Sequence, residues 1–285
     1  LIYEFNNLDK ITKPSTYIER EESDEFDELE EFVNMVINSF VGKYDKVGVL
    51  LKISSPGGSA FKFEHAYLNL LRLKEKKIEL IGLVDKMAAS GGYMLAMACD
   101  QVICSRFATI GSVGVIAQLY NWSGLNKKIG LEEKTWTTGT HKNLFPLGSD
   151  YTDEDFNKVN EMIMETFEVF KQIVLSNRKF TPEQFEQIIK AKTFHGSQAL
   201  ELNMVDSISM SEDYFESLVE KKYELWICSK EETSKSIVNS LLYDGIKFVG
   251  NSIKTSLIAN ISNGTNQNLN KQKLLDKKFT GIKLL

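Results

Sequence analysis

Two short clusters in the sequence place paired glycines directly after a run of strand-forming residues. One is Ser54-Ser55-Pro56-Gly57-Gly58, following the apolar run Val47 to Ile53. The other is Ala88-Ala89-Ser90-Gly91-Gly92-Tyr93, following Ile78 to Asp85. Paired glycines let a chain turn sharply and present backbone N–H groups to a carbonyl oxygen without side-chain obstruction. A serine on the second turn would stand at a strand end, at the start of an apolar helix whose first N–H groups favour a developing oxyanion. Each cluster has a plainer reading: a tight strand-to-helix turn for the first and a helix N-cap for Ser90. Taken together they supply a nucleophile and two separate oxyanion donors from adjacent strand ends, which neither plain reading requires.

A serine nucleophile needs a base. Of the three histidines, His65 lies in a helical pattern, His141 in a turn and His195 before Gly196, and none has a triad context. His141 is the best candidate for a Ser–His pair. A lysine can serve instead when burial lowers its pKa from about 10.4 toward neutrality, leaving a free amine to accept the hydroxyl proton. Lysines are common and mostly solvated, and residue type alone does not choose among them.

The elements that must position these groups read as an α/β alternation. A short strand at Leu1 to Phe5 precedes an acidic helix from about Asp24 to Phe40, with Phe26, Leu29, Val33, Ile37 and Phe40 on its apolar face. Then follow a strand (Val47 to Ile53), a glycine turn, a helix (Phe61 to Lys76), a strand (Ile78 to Asp85), the second glycine turn and a helix (Ser90 to Ala98). Further strands are expected at Gln101 to Cys104, Val113 to Leu119 and Glu133 to Thr137, with a helix at Ser123 to Ile129. A long helix over Asp153 to Asn177 has Thr152 as N-cap and an apolar stripe of Phe156, Val159, Ile163, Phe167, Phe170 and Val174. Thr181, Pro182 and Gln184 announce another helix by cap, first-turn proline and capping-box partner. After a strand near Tyr223 to Cys228 the composition turns polar, and residues from about Asn263 read as a weakly ordered tail.

With 42% hydrophobic and 26% charged residues in 285, the chain can bury a sizeable core, and a net charge of -5 gives no electrostatic reason to bind nucleic acid. Cys99, Cys104 and Cys228 lack the spacing of a zinc or redox motif and read as ordinary buried or surface thiols. No metal or cofactor is expected. No run approaches the ~18 apolar residues of a membrane-spanning helix. The sequence opens on Leu1 rather than Met, which leaves room for an upstream signal, anchor or domain.

The same residues resemble the signal peptide peptidase A family of serine proteases, and within it the SohB-type branch. Four blocks carry the resemblance: Ser55 to Gly58, Val84 to Met94, Gly111 to Val115, and Thr138 to Lys142. Gly196, Gln198-Ala199 and Leu202 to Asp206 extend it, so that it covers about Leu50 to Asp206. The resemblance implies Ser90 as nucleophile, Lys142 as general base, the N–H groups of Gly58 and Gly91 as oxyanion hole, and Ser112 as the hydroxyl that orients the lysine amine.

It also implies a ClpP/crotonase-like fold of repeated ββα units with additional C-terminal helices. The corresponding division is an N-terminal strand and acidic helix (1–46), a peptidase domain (47–228), and a helical extension with polar tail (229–285). The implied partners are peptide or protein substrates, such as cleaved signal peptides or membrane-protein fragments, and further copies of the chain in a homo-oligomer with shared active sites. Membrane association would run through a segment absent from this chain. Two other readings are a ClpP/crotonase-fold scaffold that no longer cleaves peptides, and an acyl-CoA enzyme of crotonase type, which would leave Ser90 and Lys142 unexplained.

Overall fold

A computed structural model describes residues 1–6, 25–44, 46–139, 141–221, 223, 225–230 and 279–284. The chain divides into two compact units, one of Leu1–Gly111 with Thr193–Leu285 and the other of Ser112–Lys192.

The first unit is built on the mixed α/β pattern expected. Strand β1 (Ile2–Asn6) leads to helix α1 (Glu25–Phe40), then β2 (Gly48–Ser54), α2 (Ala60–Glu75), β3 (Glu79–Val84), β4 (Met87–Ala89), α3 (Gly91–Ala96), β5 (Gln101–Cys104) and β6 (Thr109–Gly111). After the second unit the chain returns with β7 (Thr193–His195), α7 (Gly196–Glu201), β8 (Ser207–Ile208), α8 (Ser211–Glu220), β9 (Leu225–Lys230) and β10 (Phe279–Leu284). Seven strands form one sheet in the order β10-β9-β1-β2-β3-β5-β8, parallel throughout except for β10 against β9. The central strands are nearly continuous apolar runs because a parallel sheet is covered on both faces. Leu80, Leu83, Val84, Val102, Ile103 and Cys104 are all buried.

A second, three-stranded sheet holds β4 parallel to β6 and β6 antiparallel to β7. The sheets are joined where β2 ends. Ser55 N–H donates to Met87 O and Ala89 N–H donates to Ser55 O, both at 2.9 Å, making a parallel bridge between Ser55 and Ala88. Helix α1 packs through Leu29, Phe32, Val33, Met35, Val36 and Phe40. Its buried face is therefore turned toward Phe32 and Val36, with Ile37 only half-buried.

The second unit contains α4 (Ser123–Ile129), α5 (Asp153–Asn177) and α6 (Pro182–Ile188). Capping boxes at Thr152 with Asp155 and at Thr181 with Gln184 start the latter two as the sequence predicts. The strands expected at Val113 to Leu119 and Glu133 to Thr137 do not form. A strand needs a partner to take its backbone groups, and neither segment has one among the described residues. In α5 only Phe170 and Val174 of the expected stripe are buried.

Near the C-terminus, Phe279–Leu284 pairs with β9 where a weakly ordered tail was expected. Its Phe-Thr-Gly-Ile-Lys-Leu alternation is too short to stand out in a polar context. The remainder of that tail and the helical extension fall on residues 231–278, outside those described.

Beyond the C-terminal end of β3, Asp85 ties α8 to the sheet. Its carboxylate accepts from Ser211 N–H at 2.9 Å and Ser211 Oγ at 2.5 Å, and lies 3.5 Å from Lys52 Nζ of β2. Hydrogen bonds to a charged acceptor contribute about 1.5–3 kcal/mol. Asp85→Ala should therefore lower unfolding stability by about 2–3 kcal/mol in a urea titration, and Asp85→Asn by less. Equal stability of Asp85→Ala and the parent would show that this carboxylate does not hold α8.

Candidate active site

Ser90 follows β4 and precedes α3, and its backbone lies at φ 51°, ψ -122°. A non-glycine residue in that region costs about 1–3 kcal/mol and persists only where its surroundings impose it. Those surroundings are visible. Ser90 N–H donates to Gly111 O of β6 at 2.7 Å, and Ser90 O accepts from Tyr93 N–H at 2.9 Å and Met94 N–H at 3.1 Å. The side chain makes no capping bond, and an N-cap residue would normally adopt an extended backbone. Ser90 thus stands at the N-cap position of α3, but without the side-chain bond and the extended backbone of an N-cap serine. Ser90 is half-buried, and among the described residues its hydroxyl has no hydrogen-bond partner.

The first glycine cluster lies against this turn. Gly57 has φ 97°, and a Cβ there would stand 2.6 Å from Ser90 Cβ and 2.8 Å from Gly91 N. A Cβ on Gly92 would stand 2.6 Å from Ser55 O. The two turns thus interlock at backbone contact, which only glycine allows. Gly58 is exposed and Gly91 buried. Neither N–H has an acceptor among the described residues. The structure accordingly brings Ser90, Gly57, Gly58 and Gly91 together in the first unit. Gly57 belongs to the cluster seen in the sequence, but its part is visible only from the approach of the other turn.

Of the histidines in this unit, His65 faces outward on α2 beside Phe61, and His195 packs edge-on to Phe107. Neither hydrogen-bonds Ser90. Burial pushes the Cys104 thiol up to about 11, so it is protonated at neutral pH and is no rival nucleophile. Among the described residues no cluster of His, Cys, Asp and Glu could hold a metal ion, and no helix is long and apolar enough to cross a membrane.

Ser112 and Lys142 belong to the second unit. Ser112 follows β6 with φ 53°, and its N–H donates to Lys192 O at 2.9 Å. A Cβ on neighbouring Gly114 would meet Ala191 Cβ at 2.6 Å, so the segments around Ser112 and Lys192 run in close contact. Lys142 and His141 are exposed, on a turn where Lys142 N–H donates to Gly139 O at 3.2 Å. Among the described residues the Lys142 amine has no ion pair and no side-chain hydrogen bond. A desolvated pocket around this lysine, expected for a general base, is not supplied by its own unit.

Comparison with known proteins bears on this arrangement. Residues 72–224 match the model of peptidase family S49. The chain belongs to peptidase family S49. The matched span includes Ser90, Gly91, Ser112 and Lys142, while Gly58 lies just before it. Among its relatives, "Probable protease SohB" of Haemophilus influenzae is 36% identical over 190 residues, covering 67% of this chain and 53% of its own. "Probable protease SohB" of Buchnera aphidicola subsp. Schizaphis graminum is 33% identical over 203 residues, or 70% and 59%. A relative from Enterococcus faecium, named after signal peptide peptidase SppA, is 29% identical over 175 residues, or 61% and 51%. The chain thus spans little more than half the length of these S49 relatives.

Gly57→Ala tests the interlock, since it adds a methyl group against Ser90 at a position already at positive φ. It should destabilise the chain by about 1–3 kcal/mol in a urea titration. Parental stability would show that the contact is not a constraint.

Proposed function

We propose that this chain is a serine endopeptidase acting through a Ser/Lys dyad on a ClpP/crotonase-like framework. The observation that carries the reading is the conformation of Ser90: strained, uncapped, and gripped between two glycine turns with two neighbouring N–H groups unused. In the proposed reaction Ser90 Oγ attacks a peptide carbonyl carbon while its proton passes to the neutral amine of Lys142. The N–H groups of Gly58 and Gly91 stabilise the oxyanion. Collapse of the tetrahedral intermediate breaks the C–N bond, and the leaving amine takes the proton from the Lys142 ammonium. Water, deprotonated by the same amine, then hydrolyses the ester and frees Ser90. Ser112 orients the amine. Substrates are peptides or proteins, with cleaved signal peptides and membrane-protein fragments as the class to test first.

A lysine accepts a proton only as the free amine, and Lys142 is exposed in its own unit. We infer that a further copy of the chain supplies the missing cover and completes a shared site. The second unit leaves Ile116 83% and Trp136 85% exposed, with Tyr120, Trp122, Ile129 and Leu131 also at the surface. All six fall within residues 116–136, and exposed apolar surface is what an interaction face offers. A catalytically silent scaffold is the second reading, favoured by the exposure of Lys142.

Ser90→Ala and Lys142→Ala should each abolish peptide hydrolysis, by at least 10³-fold, without changing the unfolding transition. Fluorophosphonate should label the parent at Ser90. His141→Gln should keep most activity. An unlabelled, inactive parent would favour the scaffold. Loss of activity in His141→Gln with activity retained in Lys142→Ala would replace the lysine with a histidine base.

The shared site has its own test. Mixing Ser90→Ala with Lys142→Ala should restore part of the activity, and no rescue in mixed oligomers shown to form would place each site within one copy.

A further inference from the structure

Gly58 and Gly91, the two backbone donors assigned to the oxyanion hole, lie on different turns, and the spacing between them is set by neither turn alone. Both rest on one ring. A Cβ on Gly91 would overlap Cγ, Cδ1 and Cδ2 of Phe63, and a Cβ on Gly58 would meet Cε2 of the same ring at 3.3 Å. Phe63 is in the first turn of α2, fully buried, and its ring is braced edge-on by Phe26 of α1 at 4.9 Å between centroids and 89° between planes. Gly91 is thus fixed by the ring in one direction while Gly57 and Gly92 close on the opposite turn.

A flat, rigid side chain suits this place. Its two χ angles are fixed by packing, and it meets both backbones without a polar atom that would compete for their N–H groups. In the sequence Phe63 is one more apolar residue on a helical face, and nothing in its spacing separates it from Leu70 or Leu73.

We propose that Phe63 is a positioning residue that sets the separation and aim of the Gly58 and Gly91 N–H donors. The proposal rests on the serine-peptidase reading above. An oxyanion is stabilised only by donors aimed at the position it will occupy, and a displacement of about 1 Å can cost about 10²-fold in rate. A smaller or more pliable side chain at 63 lets the two turns shift relative to each other. Ground-state binding of the substrate chain depends less on that spacing, so the loss should fall on kcat.

The test compares the parent with Phe63→Leu, Phe63→Met and Phe63→Tyr, using a peptide substrate, a peptide aldehyde and the matching peptide alcohol. The aldehyde forms a hemiacetal with Ser90 whose oxygen occupies the oxyanion hole, whereas the alcohol cannot. Phe63→Leu should lower kcat about 10- to 100-fold with KM within about twofold, and weaken aldehyde binding in parallel while alcohol binding is unchanged. Phe63→Tyr keeps the ring but buries a hydroxyl beside the same N–H groups, so its kcat should fall between those of Phe63→Leu and the parent. If Phe63→Leu does not fold, Phe63→Met, which fills the volume with a pliable chain, carries the same expectation. A variant that loses thermal stability yet keeps parental kcat and aldehyde affinity would overturn the assignment and leave Phe63 as core packing. If the parent neither cleaves peptide nor binds the aldehyde, the serine-peptidase reading falls, and the assignment with it.

Discussion

The pairing of Ser55 with Met87 and Ala89 couples the end of β2 to the strand that delivers Ser90. These two main-chain hydrogen bonds let one chain segment serve the large parallel sheet through Ser54 and the small sheet from Ser55 onward. They also set the height of one glycine turn against the other. Ser55 is completely buried, and its Oγ accepts from Gly57 N–H at 3.1 Å, so the turn is held from within as well. A shift of one residue in this pairing would carry Gly57, with its positive φ, away from Ser90.

The strain at Ser90 is sustained by bonds that satisfy other demands at the same time. Its carbonyl opens α3, its N–H extends the β4 to β6 ladder by one step, and α3 is locked by Tyr93, whose buried hydroxyl donates to Met204 O at 2.9 Å. Relaxing Ser90 to an ordinary conformation would forfeit several of these interactions together. A local cost of about 1–3 kcal/mol is stable against such an alternative. The large sheet, with its apolar strands buried on both faces, supplies the cooperative stability against which the strained turn is held.

How far this could be read beforehand depended on whether a signal was local. The strands β2, β3 and β5 are apolar runs, and α5 and α6 carry side-chain caps, so their positions follow from short stretches of sequence. The glycine pairs announced two tight turns and a candidate nucleophile, since few residues other than glycine tolerate such backbone. What could not be read is relational. The closeness of Gly57 to Ser90, the ring of Phe63 beneath Gly58 and Gly91, and the link from Asp85 to Ser211 all join residues whose sequence neighbourhoods say nothing of each other. The strands expected at Val113 to Leu119 and Glu133 to Thr137 failed for a related reason: residue type records a preference for extended backbone, while a strand exists only where a partner takes its hydrogen bonds.

That failure bears on the proposed chemistry. The segments that lack strand partners lie in the unit that holds Lys142, and they carry Ile116 and Trp136, the two most exposed large apolar side chains among the described residues. The proposed reaction needs Lys142 as a free amine out of water, and Lys142 is exposed, so its cover must come from atoms elsewhere. In the proposed assembly the same event would bury Ile116 and Trp136, pair open backbone and desolvate the amine, so that hydrophobic burial offsets the cost of losing the lysine's hydration. Ser90 needs no such event, because its turn is complete within the first unit. The chain would then carry a preformed nucleophile and a base that becomes competent only on association, and mass action would make the dyad appear with the oligomer rather than with the folded monomer.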